Sequence, residues 1–354
     1  MKKKQTTQIN DKPPNVDFPV SHVTVLYNRV TNLAFGNKDD ILADEDTVKC
    51  AKNIAEALKK EKFKVILFEV NEKSVKKLPD LKTDFFFNLC GGIGNIPGSE
   101  PEVPKILDKV GIPYSGAVAD KLKLTTDKVK TKILFNKFGI PTPAYQVFSN
   151  SSENLKPQLK FPLIVKPSSE DCSLGIDSDS VVDNEKNLRK KVAKIIKKYQ
   201  EPALVESYIN SRELNVTIVG NGKKTIMLPV SEIIFGKSYD NGTKKRIVDF
   251  SAKWHEASVS YHDTVGTCPA KLSESARKKL EKYVLRVYHQ ICGDPGYARI
   301  DIRYVEKPEK FYFLEINLNP DISDGMGAAR SAKTYGWTYP QFLKKIIEYS
   351  LDRF

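Results

Sequence analysis

The chain has 354 residues, of which 40% are hydrophobic and 29% charged, and a formal net charge of +13. That is room for two or three domains with a sizeable core, in a composition typical of globular proteins and without an apolar run as long as a membrane span. The excess of lysine follows helical runs such as LRKKVAKIIKKYQ and ARKKLEKYVLRV instead of forming one basic arm, so neither a nucleic-acid nor a membrane partner is expected.

The opening stretch MKKKQTTQINDKPPNVDFPV has lysines with no apolar segment behind them. It reads as a flexible tail over residues 1–18 and not as a secretory signal, and a cytoplasmic location follows as an expectation. HVTVLYNRV is a predicted strand and DEDTVKCAKNIAEALKKEKF an amphipathic helix with acids in its first turn. KVILFEV and DFFFNLC are further strands, the latter running into the Gly-rich GGIGNIPGSE. Strands alternating with helices indicate a parallel α/β layer, whose ligand-holding loops lie at the carboxyl ends of the strands.

TTDKVKTKILFNKFGIPTP is a helix opened by a Thr or Asp cap and closed at Gly139. FPLIVKPSSEDCSLGI is a buried strand that delivers Lys166 to a small-residue loop containing Cys172 and Ser173. ALVESYINSRELNVTIV is strand, turn and strand, and strands are expected to dominate from there to Ser260. A helix over 273–291, the hairpin YARIDIRYVEKPEKFYFLEINLNPDIS and a closing amphipathic helix YPQFLKKIIEYSLDRF complete the chain. Five widely spaced cysteines without a Cys-x-x-Cys pair, and histidines without ligand spacing, support neither zinc nor a disulfide framework.

The hairpin poses the chemical question. Alternation puts Arg299, Asp301 and Arg303 on one face, and Phe313, Glu315 and Asn317 on one face of the second strand. A turn near Pro308 then sets Asp301 opposite Glu315 and Arg299 opposite Asn317. Like charges so placed repel, and a hard, oxygen-liganded cation such as Mg²⁺ fits between them. The bland alternative is a solvated face of paired ions. Lys166 is costly to bury without an anion, and the loop after it can bring backbone N–H groups to phosphate oxygens. Lys128 stands in a second basic segment. Two lysines on different elements plus a carboxylate hairpin are the parts expected around a nucleoside triphosphate and bridging metal ions.

In this order, TDKVKTK, FPLIVKPSSEDCSLGI, LVESYINSRELNV, YARIDIR and LEINLNP resemble the ATP-grasp superfamily, in its D-alanine–D-alanine ligase-like branch, over about residues 20 to 350. The resemblance implies an N-terminal parallel α/β domain (19–127) followed by a two-lobed ATP-grasp fold, with a central lobe over 128–213 and a C-terminal lobe over 214–354. It implies ATP as cofactor with Mg²⁺, two ions, Mn²⁺ being the alternative. Lys128, Lys166, Lys253 and Ser173 are then phosphate contacts, Glu206 and Ile209 adenine contacts, and Glu213 the ribose carboxylate. Asp301, Glu315 and Asn317 become metal ligands, and Arg299 the arginine that stabilises the developing oxyanion. Glu45 aligns with the acid that grips an ammonium group of the first substrate. A cytoplasmic homodimer acting on small-molecule carboxylates and amines is also implied.

The chain departs from that branch at its substrate pocket. Cys172 and Trp254 stand where the family has a Ser and a Tyr, and the Gly after the Asn-x-x-Pro of the metal loop is replaced by Asp321, with Asp324 added. Those acids either cap the helix that follows or meet an amine substrate other than D-alanine. The implied activity is an ATP-dependent carbon–nitrogen ligase working through an acyl phosphate. The competing readings are a dedicated D-alanine–D-alanine ligase and a catalytically silent nucleotide-binding regulator.

Overall fold

The computed structural model describes residues 19–31, 42–240, 242 and 244–354, with residues 42–46 described by their backbone alone. The tail expected over residues 1–18 lies outside the described residues. The first unit contains β1 (His22–Tyr27), α1 (Leu42–Lys60), β2 (Lys64–Glu69), β3 (Phe85–Asn88) and α2 (Glu102–Val110). Its strands form a parallel sheet of order β2-β1-β3, as the alternating pattern predicts. All four residues of β3 are buried, and the Gly-rich loop leaves its carboxyl end.

Two short helices follow, α3 (Ala119–Thr126) and α4 (Lys128–Lys137). The predicted Asp cap is present: the Asp127 side chain accepts a hydrogen bond from the Lys130 backbone N–H. Gly139, at φ +64°, then turns the chain out of the helix in a conformation that favours glycine. A second unit is built from β4 (Tyr145–Phe148), β5 (Leu163–Pro167), β6 (Val181–Val182), α5 (Glu185–Tyr199) and β7 (Ala203–Ser207). Its strands form an antiparallel sheet of order β4-β7-β5-β6, against which Leu188, Val192 and Ile195 of α5 pack.

The third unit holds β8 (Arg212–Gly220), β9 (Ile226–Met227), β10 (Ser231–Phe235), α6 (Phe250–Trp254), α7 (Val259–His262), β11 (Thr264–Thr267), α8 (Glu274–Val287), β12 (Gly296–Val305), β13 (Lys310–Asn317), α9 (Gly327–Tyr335) and α10 (Tyr339–Leu351). Its antiparallel sheet runs β11-β10-β8-β12-β13, with β9 on β8. One face, carrying Leu214, Val216, Ile300 and Ile302, packs on α8 and on Phe135 of α4. The expectation of strands up to Ser260 is corrected: after Phe235 the chain forms loops and the short helices α6 and α7. GKSYDNGTKK supplies turn-forming Gly and Asn and little apolar periodicity, so no strand is specified there.

α10 returns to the first unit. Its Phe342, Leu343, Ile346 and Ile347 share one buried core with Val23, Val25, Ile54 and Phe87. Among the described residues no helix is long and apolar enough to cross a membrane.

Candidate active site

The hairpin register is the one read from alternation: Arg299 pairs with Asn317 and Asp301 with Glu315. A β-bulge follows, because Ile302 pairs with Phe313 and Leu314 is left over. One extra residue reverses the alternation. Phe313 therefore joins Ile316 in the core, and the expectation that it shares a face with Glu315 is corrected. The bulge is pinned by the linker after α4, since Phe313 N–H donates to Pro141 O (2.8 Å) and Thr142 Oγ1 donates to Phe313 O (2.8 Å).

Asp301 is buried among hydrogen-bond donors. Arg299 donates to its two oxygens through Nε and Nη2, each at 2.9 Å, a bidentate fork. Asn215, its partner on β8, donates to Oδ1 (2.7 Å), and Asn317 donates to Oδ2 (3.1 Å). Asn215 was missed by the sequence reading, although its spacing two residues after Glu213 on one strand puts both on the site face.

Glu315 lies among the cations that the sequence singled out. Burial alone would raise its pKa, but Lys128, Lys166, Arg299 and Lys253 together bring it down to about 2. Lys128 approaches it at 3.8 Å and is also held by Asp171 Oδ1 (3.1 Å) and Glu170 O (2.5 Å). Burial works against the charge of Lys128, and Asp171 and Glu315 more than offset it, raising its pKa above the ordinary lysine range. Asp171, in the loop after Lys166, is a second residue that the sequence reading passed over.

Lys166 does not stand alone either. Its Nζ lies 2.7 Å from Glu206 Oε2, while Lys132 contacts Glu206 Oε1. All three side chains are buried, and Lys132 also donates to Thr142 Oγ1 (2.8 Å). Burial pulls Lys132 down to about 8 against the attraction of Glu206 and with the repulsion of Lys166. Burial would raise Glu206, yet its two lysines hold it below the usual carboxylate range. Glu213 pairs with Arg303 at 2.6 Å on the same sheet face, and Ile209 lies half-buried in the turn between β7 and β8.

The loop after Lys166 is shaped by positive φ at Cys172 (+55°), Ser173 (+63°) and Gly175 (+74°). A side chain at Gly175 would collide with Pro167 and Tyr199, so only glycine fits there. The Ser173 hydroxyl donates to Val248 O (2.8 Å) and the Trp254 indole to Cys172 O (3.1 Å), tying this loop to α6. Lys253 stacks over Trp254 at 4.9 Å. Cys172 is exposed and is one of the free cysteines.

Asp321 accepts from the backbone N–H of Ser323 (2.9 Å), closing a local turn before α9, and its charge is felt by Arg299. The residue at the start of α9 is Met326, with no side-chain cap, and Asp324 is exposed. The helix-cap reading of the two acids is thereby corrected: the cap position falls past both of them. Glu45 is in the first turn of α1, and its side chain lies outside the described residues. Glu100, at the end of the Gly-rich loop, was not anticipated. Burial, with Asp171 adding, pushes its pKa up to about 8 against a hydrogen bond from Asn319.

Among the described residues no cluster of three or more His, Cys, Asp or Glu side chains is placed to hold a metal ion. The hairpin offers two carboxylates and an amide on one face, two rungs apart, a donor set suited to a hard cation. In this arrangement Arg299 and Lys128 supply the counter-charge.

Comparison with known proteins places the geometry in context. Residues 134–348 match the family model for the D-ala D-ala ligase C-terminus. An uncharacterized protein, y4sG, of Sinorhizobium fredii is 31% identical over 76% of this chain and 75% of its own length. A D-alanine–D-alanine ligase of Pseudothermotoga lettingae is 30% identical over 85% of this chain and 93% of its own. Among solved structures, D-alanine–D-alanine ligase from Bacillus anthracis complexed with ATP superposes with a TM-score of 0.71 at 22% identity, covering 94% of this chain and 98% of that one. The VanG D-Ala:D-Ser ligase from Enterococcus faecalis gives 0.70 at 19% identity, covering 94% and 99%.

Proposed function

The chain belongs to the D-ala D-ala ligase C-terminus family, and from that membership we propose an ATP-dependent carboxylate–amine ligase that joins an amino-acid-like carboxylate to an amine other than D-alanine. The observation that carries the ligase reading is Lys128 at 3.8 Å from Glu315, with the charges of Lys166, Lys253 and Arg299 also acting on that carboxylate, beside Asp301. Four buried or half-buried cations around one carboxylate are poised to receive phosphoryl oxygens. Mg²⁺ on Asp301, Glu315 and Asn317 would supply charge neutralisation at the phosphates.

In the first step a carboxylate oxygen attacks the γ-phosphorus of ATP, and the bond to the leaving β-phosphate oxygen breaks to give an acyl phosphate and ADP. The amine nitrogen then attacks the acyl carbon, loses a proton, and phosphate departs. Positioning and electrostatics carry both steps. Lys128, Lys166 and Lys253 hold phosphoryl oxygens, with Ser173 in the loop above them. Glu206, set rigid by two lysines, and Ile209 border the adenine, and Glu213 the ribose. Arg299 faces the oxyanion. Glu45, by its alignment, would receive the first substrate's ammonium group, and Cys172 and Trp254, which meet through the Trp254 indole, would shape the substrate pocket.

The choice of amine rests on Asp321. Its charge reaches Arg299, so a carboxylate lodged in that loop would be repelled. The test is a phosphate-release screen with Mg-ATP and amino acids or short peptides in pairs. Release that needs both a carboxylate and a separate amine supports the reading. D-alanine alone as the best substrate would identify a D-alanine–D-alanine ligase, and ATP turnover indifferent to every amine would end the ligase assignment.

A further inference from the structure

Arg330, on α9, is a cation without an anion. Its Nε donates to Ser231 Oγ (3.1 Å) and its Nη1 to Gly325 O (2.8 Å). No carboxylate among the described residues pairs with it, and burial lowers its pKa with only Cys268 opposing. Two of its five N–H donors are thus used within the protein. Room has been made for the group: a side chain at Gly266 would collide with the guanidinium, which lies across the β11 backbone.

Its place in the sheet gives this cation a purpose. Glu315, Asp301, Asn215 and Ser231 pair in succession across β13, β12, β8 and β10, so they share one face. Arg330 therefore overlies the site face between Ser231 of β10 and Gly266 of β11, two to three strands from Asp301, or about 10 to 14 Å at ordinary strand spacing. Gly327, at the start of the same helix, sits against Asn215.

Resting on the ligase reading above, we propose that Arg330 binds a carboxylate at the far end of the amine substrate. Asp321 makes the loop beside Arg299 hostile to that group, and Arg330 is the available cation beyond it. The span fixes the size of the substrate. Allowing about 3 Å for a hydrogen bond leaves about 7 to 11 Å between the reacting nitrogen and the carboxylate, or roughly two to three residues of extended chain. A single α-amino acid, with amine and carboxylate on one carbon, is too short. A dipeptide, or an amine with a comparably distant acid, fits.

The test uses the full chain with Mg-ATP and the carboxylate donor that gives the fastest phosphate release. The amines are alanine, alanylalanine and alanylalanine amide, in L and D forms. The expected result is a KM for the dipeptide ten- to a hundred-fold below that for its amide, the range of a charge-assisted hydrogen bond. Arg330→Met and Arg330→Gln should bring the dipeptide to the amide's KM. The Gln variant keeps donors for Ser231 and Gly325, and an unchanged melting temperature separates lost recognition from lost folding. Equal KM for dipeptide and amide in the wild type, or a preference that survives in Arg330→Gln, overturns the proposal while leaving the ligase reading in place. Phosphate release indifferent to every amine would overturn both.

Discussion

Lys132 and Lys166 share one carboxylate, each holding a different oxygen of Glu206 in a fully buried triad that joins α4, β5 and β7. A buried ion set of this kind is costly to disturb from one side. Lys132→Met should destabilise the protein by about 3 kcal/mol, read as a lower melting temperature. It should also raise the KM for ATP, because Glu206 would lean wholly on Lys166. An unchanged KM for ATP would mean that Lys132 serves the fold alone.

The metal assignment rests on the rung that pairs Asp301 with Glu315. Asp301→Asn and Glu315→Gln are expected to lower ADP formation at least a hundred-fold while circular dichroism stays that of the wild type. Full activity in either variant removes the assignment.

Arg299 is tied to Asp301 and faces the place where negative charge develops. Arg299→Ala should reduce kcat by about a hundred- to a thousand-fold with little change in ATP affinity. A defect confined to ATP binding would show a different role.

Glu100 makes a prediction about pH. Its folded pKa of about 8 lies above the usual carboxylate value, so the folded state binds more protons than the unfolded one between roughly pH 4.5 and 8. Stability conferred by this group is full below that window and falls as pH rises through it. Glu100→Gln should remove that loss and stabilise the protein at pH 8 and above, on the order of 3 kcal/mol. Melting curves at pH 5 and pH 8.5 decide it: a variant no more stable than wild type at the higher pH would contradict a buried, uncompensated carboxyl.

Asp321→Gly tests the choice of amine. Removing the charge beside Arg299 should widen acceptance to amines that carry a nearby carboxylate, such as single α-amino acids, measured as a fall in their KM. If the preference among amines stays as in wild type, Asp321 serves only its turn with Ser323.

Much of this site was legible before any coordinates. Alternation alone gives the pairing of Asp301 with Glu315, because a strand's period is fixed and the turn near Pro308 sets the register. The bulge at Leu314 was not legible, since a two-against-one pairing is a property of both strands and the linker that pins them. Lys132 hid for a different reason. It sits four residues after Lys128 on one helix face, but in a lysine-rich chain that spacing looks like a solvated surface. Only the buried Glu206 tells otherwise. Asp171 and Glu100 are loop acids whose importance comes from partners distant in the chain, Lys128 for the exposed Asp171 and burial for Glu100, which no local pattern records. The irregular run from Gly236 to Asp263 was misread because apolar residues scattered through a loop imitate short strands.

The core shared by the first sheet and α10 bears on how the molecule is made. Val23 and Val25 are synthesised long before Phe342 and Ile346, which complete their core. α1 can pack on the opening sheet early, through Ile54 and Leu58, but the core they share stays incomplete until α10 is made about 280 residues later. A chain stalled before Tyr339 would leave that part of the core without Phe342, Leu343, Ile346 and Ile347, and so hold out an apolar surface for chaperones to grip.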